Sequence, residues 1–185
     1  MPTNLELKAI VESPRRVNAV LKQKTRRQGL LRQTDTYFVV RKGRLKVREF
    51  HSGESELIYY MRHEGKGDRW SNYEVIDLKD GSRLKTILSK LFRIRVVVRK
   101  KRQLYLYKNA RIHIDAVEGL GRFIEFEVIV NSGKRQARGV YNELRKLFGI
   151  EEASLIKYSY ADLMERSINS RRRRAGYSRK GLKQG

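Results

Sequence analysis

Carboxylates alternate with bulky apolar side chains in the stretch Phe123-Ile124-Glu125-Phe126-Glu127-Val128. In a β-strand, residues two positions apart point to the same side of the sheet. Glu125 and Glu127 would therefore share one face, and the apolar residues beside them would share the other. This period of two predicts a strand that packs one face against a core and presents carboxylates on the opposite face.

Four further stretches place two polar residues two positions apart among apolar neighbours. These pairs are Glu6 and Lys8, Lys46 and Arg48, Lys100 and Arg102, and His113 and Asp115. On an open sheet, such pairs would form a solvated face with cross-strand ion pairs. In a sheet closed into a barrel, they would instead meet in one polar interior.

A polar barrel interior needs compensating ligands, because like charges held close together repel one another. A polyphosphate would neutralise the basic residues, and a divalent cation would neutralise the carboxylates. Hard oxygen ligands suit Mg²⁺ or Mn²⁺. The alternation therefore favours a metal–phosphate site inside a barrel over a solvated sheet face.

Turn and cap signals divide the chain into strands and a few helices. Strands are predicted at 5–11, 34–40, 44–50, 57–62, 70–78, 94–107, 111–117 and 122–130. Helices are predicted after the start signal Ser13-Pro14 and at 81–91, 134–148 and 159–166. In the helix at 81–91, the expected core residues are Leu84, Ile87, Leu88 and Leu91. Consecutive strands joined by turns favour an antiparallel sheet or barrel with flanking helices, an α+β domain over residues 1–166.

The chain is strongly basic. Its 185 residues include 43 Lys and Arg against 20 Asp and Glu, a formal net charge of +23. The segment 167–185 holds seven basic and no acidic residues, so residues 1–166 alone carry +16. Such a field attracts polyanions, including nucleic acids and phosphate-rich small molecules. We predict that 167–185 is a disordered basic tail. It contains four consecutive arginines, which would alternatively form a nuclear-import signal: Arg171, Arg172, Arg173 and Arg174.

The chain contains no cysteine. This composition excludes disulfides, cysteine-ligated zinc, iron–sulfur clusters and thiol catalysis, and it fits a reducing compartment. The longest apolar runs, such as 96–98, fall far short of the ~20 residues that a bilayer-spanning helix needs. We therefore expect a cytoplasmic protein without a membrane span.

Nine short motifs follow one another between residues 4 and 164. They are NLELK at 4–8, QTDTYF at 33–38, GRLKVRE at 43–49, LIYYMR at 57–62, KKR at 100–102, RIHID at 111–115, VEGLG at 117–121, FIEFEV at 123–128 and SYADL at 159–163. As an ordered set they resemble the CYTH domain, also called the triphosphate tunnel metalloenzyme superfamily. That superfamily includes class IV adenylyl cyclases of the CyaB type, thiamine triphosphatases and inorganic triphosphatases, and the CyaB-like branch is the most similar.

The resemblance implies an eight-stranded antiparallel barrel whose lumen is a tunnel. One wall would hold a triphosphate, and the other would hold one or two Mg²⁺ or Mn²⁺ ions. The implied phosphate-binding residues are Lys8, Lys46, Arg48, Arg62, Lys100 and Arg102. The implied metal ligands are Glu6, Asp115, Glu125 and Glu127. Asp115 would alternatively position a water molecule, and Tyr37 is a further catalytic candidate near the substrate.

The sequence departs from the family pattern at one position. Where the family has its first glutamate, this chain has Asn4. An asparagine offers a carbonyl oxygen but no negative charge. The resemblance therefore implies either a weaker second metal site or a metal held by Glu6, Glu125 and Glu127.

Two reactions use the same arrangement of charges. A triphosphatase hydrolyses the terminal phosphoanhydride of an inorganic, nucleoside or thiamine triphosphate, and a class IV cyclase makes cyclic AMP and pyrophosphate from ATP. Both depend on positioning and on neutralising charge. We favour hydrolysis because it needs only the tunnel, with the cyclase as the alternative. A third hypothesis is a non-catalytic binder of nucleic acid or another polyanion through the basic surface and tail, for which Glu125 and Glu127 would have no use.

Overall fold

Eight strands close into a β-barrel in the computed structural model, which describes residues 3–11, 13–62 and 69–181. The strands are β1 (Thr3–Ile10), β2 (Arg26–Phe38), β3 (Arg44–Phe50), β4 (Ser55–Arg62), β5 (Arg69–Leu78), β6 (Ile94–Tyr107), β7 (Ala110–Val117) and β8 (Gly121–Ile129). Their order around the barrel is β1-β5-β4-β3-β2-β6-β7-β8, and each strand is antiparallel to both neighbours. The predicted eight-stranded antiparallel α+β barrel is confirmed.

Four helices flank the barrel: α1 (Pro14–Lys24), α2 (Gly81–Leu91), α3 (Lys134–Phe148) and α4 (Tyr160–Gly181). Pro14 opens α1, where its fixed φ and missing N–H suit the first helical turn. Gly149 ends α3 with a left-handed φ of 63°. A Cβ there would lie 2.4 Å from the Arg16 guanidinium carbon, so both backbone angle and space favour glycine. None of the described helices is both long enough and apolar enough to cross a bilayer.

The main apolar core lies outside the barrel wall. The residues that alternate with the charged ones on β1 and β8 face outward, and they include Leu5, Leu7, Ile124, Phe126 and Val128. They pack against α1 and α3 through Val17, Leu21, Val140, Leu144 and Phe148. The period of two thus directs apolar side chains outward to the helices and charged side chains inward to the lumen.

A second apolar cluster closes one end of the lumen. Val96, Val98 and Phe123 point inward there and pack against Tyr160 and Ala161, the first residues of α4. The rings of Phe123 and Tyr160 meet edge-on with centroids 5.2 Å apart. The first turn of α4 therefore acts as a plug at this end of the barrel.

Ion pairs hold the start of α4 in place. Asp162 accepts hydrogen bonds from the backbone N–H and hydroxyl of Ser159, at 2.9 and 2.6 Å. Its carboxylate also pairs with Arg44 at 3.1 Å and with Arg95 at 2.7 Å. Burial works to raise the pKa of Asp162, but the Ser159 hydrogen bonds and the two arginines lower it below its usual range. The plug is thereby tied to the barrel rim.

The end of α4 differs from the expectation. The sequence predicted a short helix at 159–166 and a disordered tail, whereas α4 continues to Gly181. Arginine is a good helix former, and no proline interrupts the segment, so the helix has no local reason to stop at 166. Arg171, Arg172 and Arg173 are exposed on it, and the side chain of Arg174 lies outside the described residues.

Two further elements differ from the sequence predictions. β2 begins at Arg26, eight residues before the predicted start at 34, because residues 26–33 pair with the long β6. The prediction of a buried apolar face on α2 was wrong, since Ile87 is 47% exposed and Leu91 is 69% exposed. α2 is attached mainly at its first turn, where a Cβ on Gly81 would lie 2.3 Å from the hydroxyl of Ser55.

Candidate functional site in the barrel lumen

The lumen holds a polar cavity of about 180 Å³. Its charged lining residues are Glu6, Lys8, Lys46, Arg48, Glu56, Lys100, Arg102, Arg111, Glu125 and Glu127. They come from β1, β3, β4, β6, β7 and β8, so the closed sheet brings together residues that are far apart along the chain. Four of the five alternating pairs of the sequence therefore meet around one cavity, and the fifth, His113 and Asp115, lies beside Glu125 and Arg102 of that lining.

One side of the lumen is a cluster of cations around a buried carboxylate. Asp35 of β2 is fully buried, and it lies opposite Arg48 on β3. It accepts hydrogen bonds from Arg48 Nε at 2.7 Å, from Lys46 Nζ at 2.9 Å and from Lys100 Nζ at 3.1 Å. Arg48 also lies 3.6 Å from Glu56 of β4, so three cations share two carboxylates and positive charge is left in excess.

Burial and crowding shift the pKa values in this cluster. Burial works to raise the pKa of Asp35, but Arg48, Lys100 and Lys46 together hold it well below its usual range. Burial and then the nearby Arg48 lower the pKa of Lys46 to about 7, although Asp35 acts in the opposite direction. Burial and Arg102 likewise lower the pKa of Lys100. An anion entering the cavity would relieve this repulsion and favour the charged form of both lysines.

Tyr37 lies beside the same cluster. Its hydroxyl accepts a hydrogen bond from Lys46 Nζ at 3.4 Å, and Lys46 also lies 5.3 Å from the centre of its ring. Burial, Tyr60 and Asp35 raise the pKa of Tyr37 well above its usual value. The phenol therefore stays protonated at neutral pH and suits a hydrogen-bond donor better than a general base.

Carboxylates dominate the other side of the lumen, and two cations bind them. Lys8 Nζ lies 3.3 Å from Glu125, across the β1–β8 pair. Arg102 donates to both oxygens of Asp115, at 2.8 and 2.6 Å, and also to Glu125 at 2.5 Å. Asp115 accepts a further hydrogen bond from the hydroxyl of Tyr160 at 2.9 Å. Asp115 is therefore fully engaged in holding Arg102 and the α4 plug.

A compact group of potential metal ligands lies next to this network. His113, Glu125 and Glu127 each offer a ligand atom, and these three atoms lie within 4.8 Å of one another. His113 Nδ1 is buried and has no hydrogen-bond partner among the described residues. It lies 3.6 Å from Glu127 and 3.8 Å from Glu125. An orphaned imidazole nitrogen between two carboxylates fits a divalent cation.

The surroundings hold the two glutamates in their charged forms. Burial works to raise the pKa of Glu125, but Lys8, His113 and Arg102 hold it well below its usual range. Burial also opposes the charge on Glu127, whose pKa is nevertheless lowered by His113 and Arg102. Both side chains are therefore carboxylates at neutral pH, the form in which they bind a cation.

The structure brings together most of the residues that the sequence singled out. The cavity is lined by Glu6, Lys8, Tyr37, Lys46, Arg48, Lys100, Arg102, Glu125 and Glu127. Glu6 lies directly opposite Glu127 on the neighbouring strand, although it is outside the compact ligand group. Asp115 is also outside that group, held by Arg102. Arg62 ends β4, and its side chain lies outside the described residues.

Sequence reasoning missed the carboxylate at the centre of the basic side. Asp35 shares a strand face with Gln33 and Tyr37, so the period of two could have placed it in the lumen. Its neighbours there are Thr34 and Thr36, however, and the apolar flanks that marked the other pairs are missing. Tyr160 was also missed, because its position depends on how α4 meets the barrel. His113 was paired with Asp115 in the sequence but was not predicted to be a metal ligand.

Asn4 lies at the position of the missing glutamate, on the lumen side of β1. Its side-chain oxygen is buried and has no hydrogen-bond partner among the described residues. An unpaired carbonyl oxygen at this position can accept a hydrogen bond from a ligand or bind a cation weakly. The substitution therefore keeps an oxygen in the site while removing one negative charge.

A family model described as the CYTH domain matches residues 3–160. The chain belongs to the CYTH domain family. The resemblance seen in the nine motifs is thus confirmed over nearly the whole barrel. No curated protein matches this CYTH chain.

Several solved structures share the CYTH chain's fold. The PH1012 protein of Pyrococcus horikoshii OT3 is 20% identical, with a TM-score of 0.78 over 86% of this chain and 98% of that one. A proposed adenylate cyclase from Vibrio parahaemolyticus is 19% identical, with a TM-score of 0.69 over 88% and 97%. A chain of the Schizosaccharomyces pombe Mediator head module is 12% identical, with a TM-score of 0.62 over 80% and 94%. At these identities the likeness concerns the fold, and the chemistry must be argued from the lumen.

Proposed function

We propose that this protein is a divalent-metal-dependent enzyme that binds a triphosphate in the barrel lumen and hydrolyses its terminal phosphoanhydride. The observation that carries the proposal is the separation of charge within one cavity. Three buried cations around Asp35 face a group formed by Glu125, Glu127 and His113. A chain of phosphates with a bound cation is the ligand that satisfies both sides at once.

The basic side suits a phosphate chain in geometry as well as in charge. Arg48 presents its guanidinium from β3, and Lys46 and Lys100 present ammonium groups from β3 and β6. A guanidinium can donate two parallel hydrogen bonds to one phosphate, whereas an ammonium adapts to several oxygen positions. Together they would hold the phosphates in a fixed orientation, which accounts for much of the catalysis in phosphoryl transfer.

The acidic side would hold the metal and position the attacking water. Glu125, Glu127 and His113 are the residues whose ligand atoms converge, with Glu6 beside them. A bound Mg²⁺ or Mn²⁺ would neutralise phosphate charge and lower the pKa of a water molecule. Arg102 donates to both oxygens of Asp115 and to Glu125, so Asp115 fixes its position and a phosphate would have to replace Glu125 as its partner.

A class IV cyclase is the second candidate, and one wall of the cavity favours it. β4 and β5 line the cavity with Ile58, Tyr60, Tyr73 and Val75, which form an apolar and aromatic surface. A nucleobase could lie there while its triphosphate reaches the basic side. The Vibrio parahaemolyticus relative, itself proposed to be an adenylate cyclase, makes this reading worth testing directly.

Product analysis distinguishes the two candidates. The purified protein would be incubated with Mg²⁺ or Mn²⁺ and, in turn, with inorganic triphosphate, ATP and thiamine triphosphate. Release of phosphate that stops on chelation would support the triphosphatase, and the fastest substrate would identify its class. Cyclic AMP with pyrophosphate would establish the cyclase instead. If neither product forms with either metal, the proposed enzymatic function is overturned.

A matched pair of variants tests whether the activity resides in the lumen. Lys46→Ala removes a buried cation of the basic side and should raise KM for the triphosphate by about tenfold, the cost of one charge-assisted contact. Lys79→Ala removes an exposed lysine far from the cavity lining and should leave KM unchanged. Equal KM values in the two variants would place Lys46 outside the binding site.

A further inference from the structure

A second large concavity lies on the outer surface of the barrel, and the proposed function does not use it. It is a groove of about 950 Å³ formed by β2, the end of β3, β6, β7 and the start of β8. Among the described residues that line it, only Lys85 comes from a helix. Its exposed cations lie on the outer face of the sheet, whereas Gln33, Lys100 and Val117 of its lining belong to the lumen face. Six Lys or Arg residues line it against two glutamates, and one of the six, Lys100, also lines the lumen.

Strand register sets several of these cations in one row. Arg32 of β2 lies opposite Lys101 of β6. Lys101 is in turn opposite Ala116 of β7, and Ala116 is opposite Arg122 at the start of β8. Neighbouring strands lie ~4.8 Å apart, so the row from Arg32 to Arg122 crosses about 14 Å. Arg99 lies two residues from Lys101 on the same face of β6 and widens the row.

The four cations of this row are exposed and have no acidic partner within the described part of the chain. Lys85 differs from them, because its ammonium lies 2.7 Å from both oxygens of Glu49. Like charges on neighbouring strands destabilise a sheet. A row of unpaired cations on a concave surface is therefore best explained by an anionic partner that lies along it.

We infer that this groove binds the phosphate backbone of a single-stranded nucleic acid. A nucleic-acid strand with stacked bases carries one phosphate per ~3.4 Å. The ~14 Å row of cations therefore faces about four successive phosphates. Phe50 and His51 also line the groove, and rings beside a cationic track offer stacking surfaces to unpaired bases. A membrane surface is broad and flat, and it would not follow a concave track of this kind.

The test compares two triple variants that remove equal charge. The row variant combines Arg32→Gln, Lys101→Gln and Arg122→Gln. The control combines Lys22→Gln, Lys24→Gln and Arg135→Gln, three exposed cations on α1 and α3. Binding of a short labelled single-stranded RNA or DNA would be followed by fluorescence anisotropy over a series of salt concentrations.

The row variant should bind the oligonucleotide at least about tenfold more weakly at low salt. The slope of log K against log salt concentration should decrease in magnitude by about 2, because each of the three lost phosphate contacts removes ~0.7. The control should change affinity by less than about twofold. Equal losses in both variants would overturn the inference, because they would indicate a general electrostatic field. So would failure of the unmodified protein to bind, or row-dependent binding only to vesicles containing phosphatidylserine.

Triphosphate turnover supplies an independent measurement. The row residues are absent from the lumen lining, so the row variant should retain the activity of the unmodified protein on inorganic triphosphate. Loss of oligonucleotide binding with full turnover supports the groove as a separate site. Parallel loss of both would mean that the oligonucleotide occupies the lumen, which contradicts the inference. The proposed enzymatic function fails on different grounds, namely the absence of any product.

Discussion

The two sides of the lumen balance their charges differently. On one side, Arg48, Lys46 and Lys100 share the carboxylate of Asp35, and Arg48 also lies 3.6 Å from Glu56. On the other side, Glu125 already has Lys8 and Arg102 as partners, and Asp115 takes both guanidinium bonds of Arg102. The first side is incomplete without an anion. On the second side the carboxylates outnumber the cations, but Lys8 and Arg102 already occupy oxygens of Glu125 and Asp115.

This difference indicates an order of binding. A phosphate chain can approach the basic side directly, because the cations there outnumber their carboxylates. Once bound, it would draw Lys8 and Arg102 toward its oxygens and away from Glu125. The oxygens of Glu125 and Glu127 would then be open to a divalent cation. Under the proposed function, the phosphate would therefore prepare the metal side, whereas the basic side would need no preparation.

Removing a carboxylate from the metal side should have the largest effect. Glu127→Gln preserves size but removes the charge, and a loss of about 3 kcal/mol in charge stabilisation lowers kcat/KM about 100-fold. Metal-dependent phosphate release from inorganic triphosphate measures it, with circular dichroism to verify the fold. Glu74→Gln, at an exposed position on β5, serves as the control. Unchanged activity in Glu127→Gln would remove this residue from the metal site.

Removing the shared carboxylate on the basic side should destabilise the fold and be partly reversed by ligand. Asp35→Asn leaves the buried Lys46 and Lys100 without their carboxylate partner and Arg48 with Glu56 alone, at a cost of about 3 kcal/mol in unfolding free energy. Tripolyphosphate should restore part of that loss, because it binds the folded state and supplies the missing charge. Thermal unfolding with and without tripolyphosphate measures both effects.

The exposed Asp77→Asn variant should show neither effect, since Asp77 lies outside the cavity lining. If Asp35→Asn is as stable as the unmodified protein, the cations on this side are not held in place by Asp35. If it is unstable but gains no more from tripolyphosphate than Asp77→Asn, the phosphate does not bind beside it.

The proposed order of binding predicts that the two ligands are coupled. Mn²⁺ should bind weakly alone and at least about fivefold more tightly when a non-hydrolysable triphosphate analogue is present, the lower range of typical couplings between sites. Titration calorimetry measures both affinities. The Glu127→Gln variant corrects for Mn²⁺ that binds the analogue alone. Equal Mn²⁺ affinity with and without the analogue would show that the acidic side needs no preparation.

The smallest effect is expected from pH. The pKa of Lys46 is lowered to about 7 by burial and by Arg48. Below pH 7 the ammonium is charged and attracts phosphate. Above pH 7 it loses its proton, so affinity should fall by no more in total than the about tenfold loss expected for Lys46→Ala. KM would be measured between about pH 6 and 9 for the unmodified protein and for Lys46→Arg, whose guanidinium stays charged. The difference between the two profiles reports the titration of Lys46. An identical profile in Lys46→Arg would identify another titrating group.

The division of the chain into lumen and outer faces could be predicted from sequence, because a period of two has the same meaning in any closed sheet. Which strands lie next to one another in the barrel could not be predicted from the sequence. Asp35 meets Lys46 and Lys100 because β2 lies between β3 and β6, a fact of strand order that local patterns do not contain. The catalytic and ligand roles given to the lumen residues stay predictions.

Two helices illustrate the same limit. Both α2 and α3 have apolar residues at helical spacing, and both were predicted to bury them. α3 does so against β1 and β8, through Val140, Leu144 and Phe148. α2 has the same kind of stripe, but Ile87 is 47% exposed and Leu91 69% exposed on it. Spacing predicts which face is apolar, and tertiary structure decides whether that face is covered.

The plug formed by Tyr160 and Ala161 also bears on traffic through the barrel. Because the plug fills that end of the lumen, substrate would enter and product would leave through the opening at the opposite end. A polyphosphate longer than the cavity could insert only its terminus, and the remainder would trail outside. The enzyme would then trim chains from their ends and spare internal linkages, and the phosphate that enters first would be the last piece to depart.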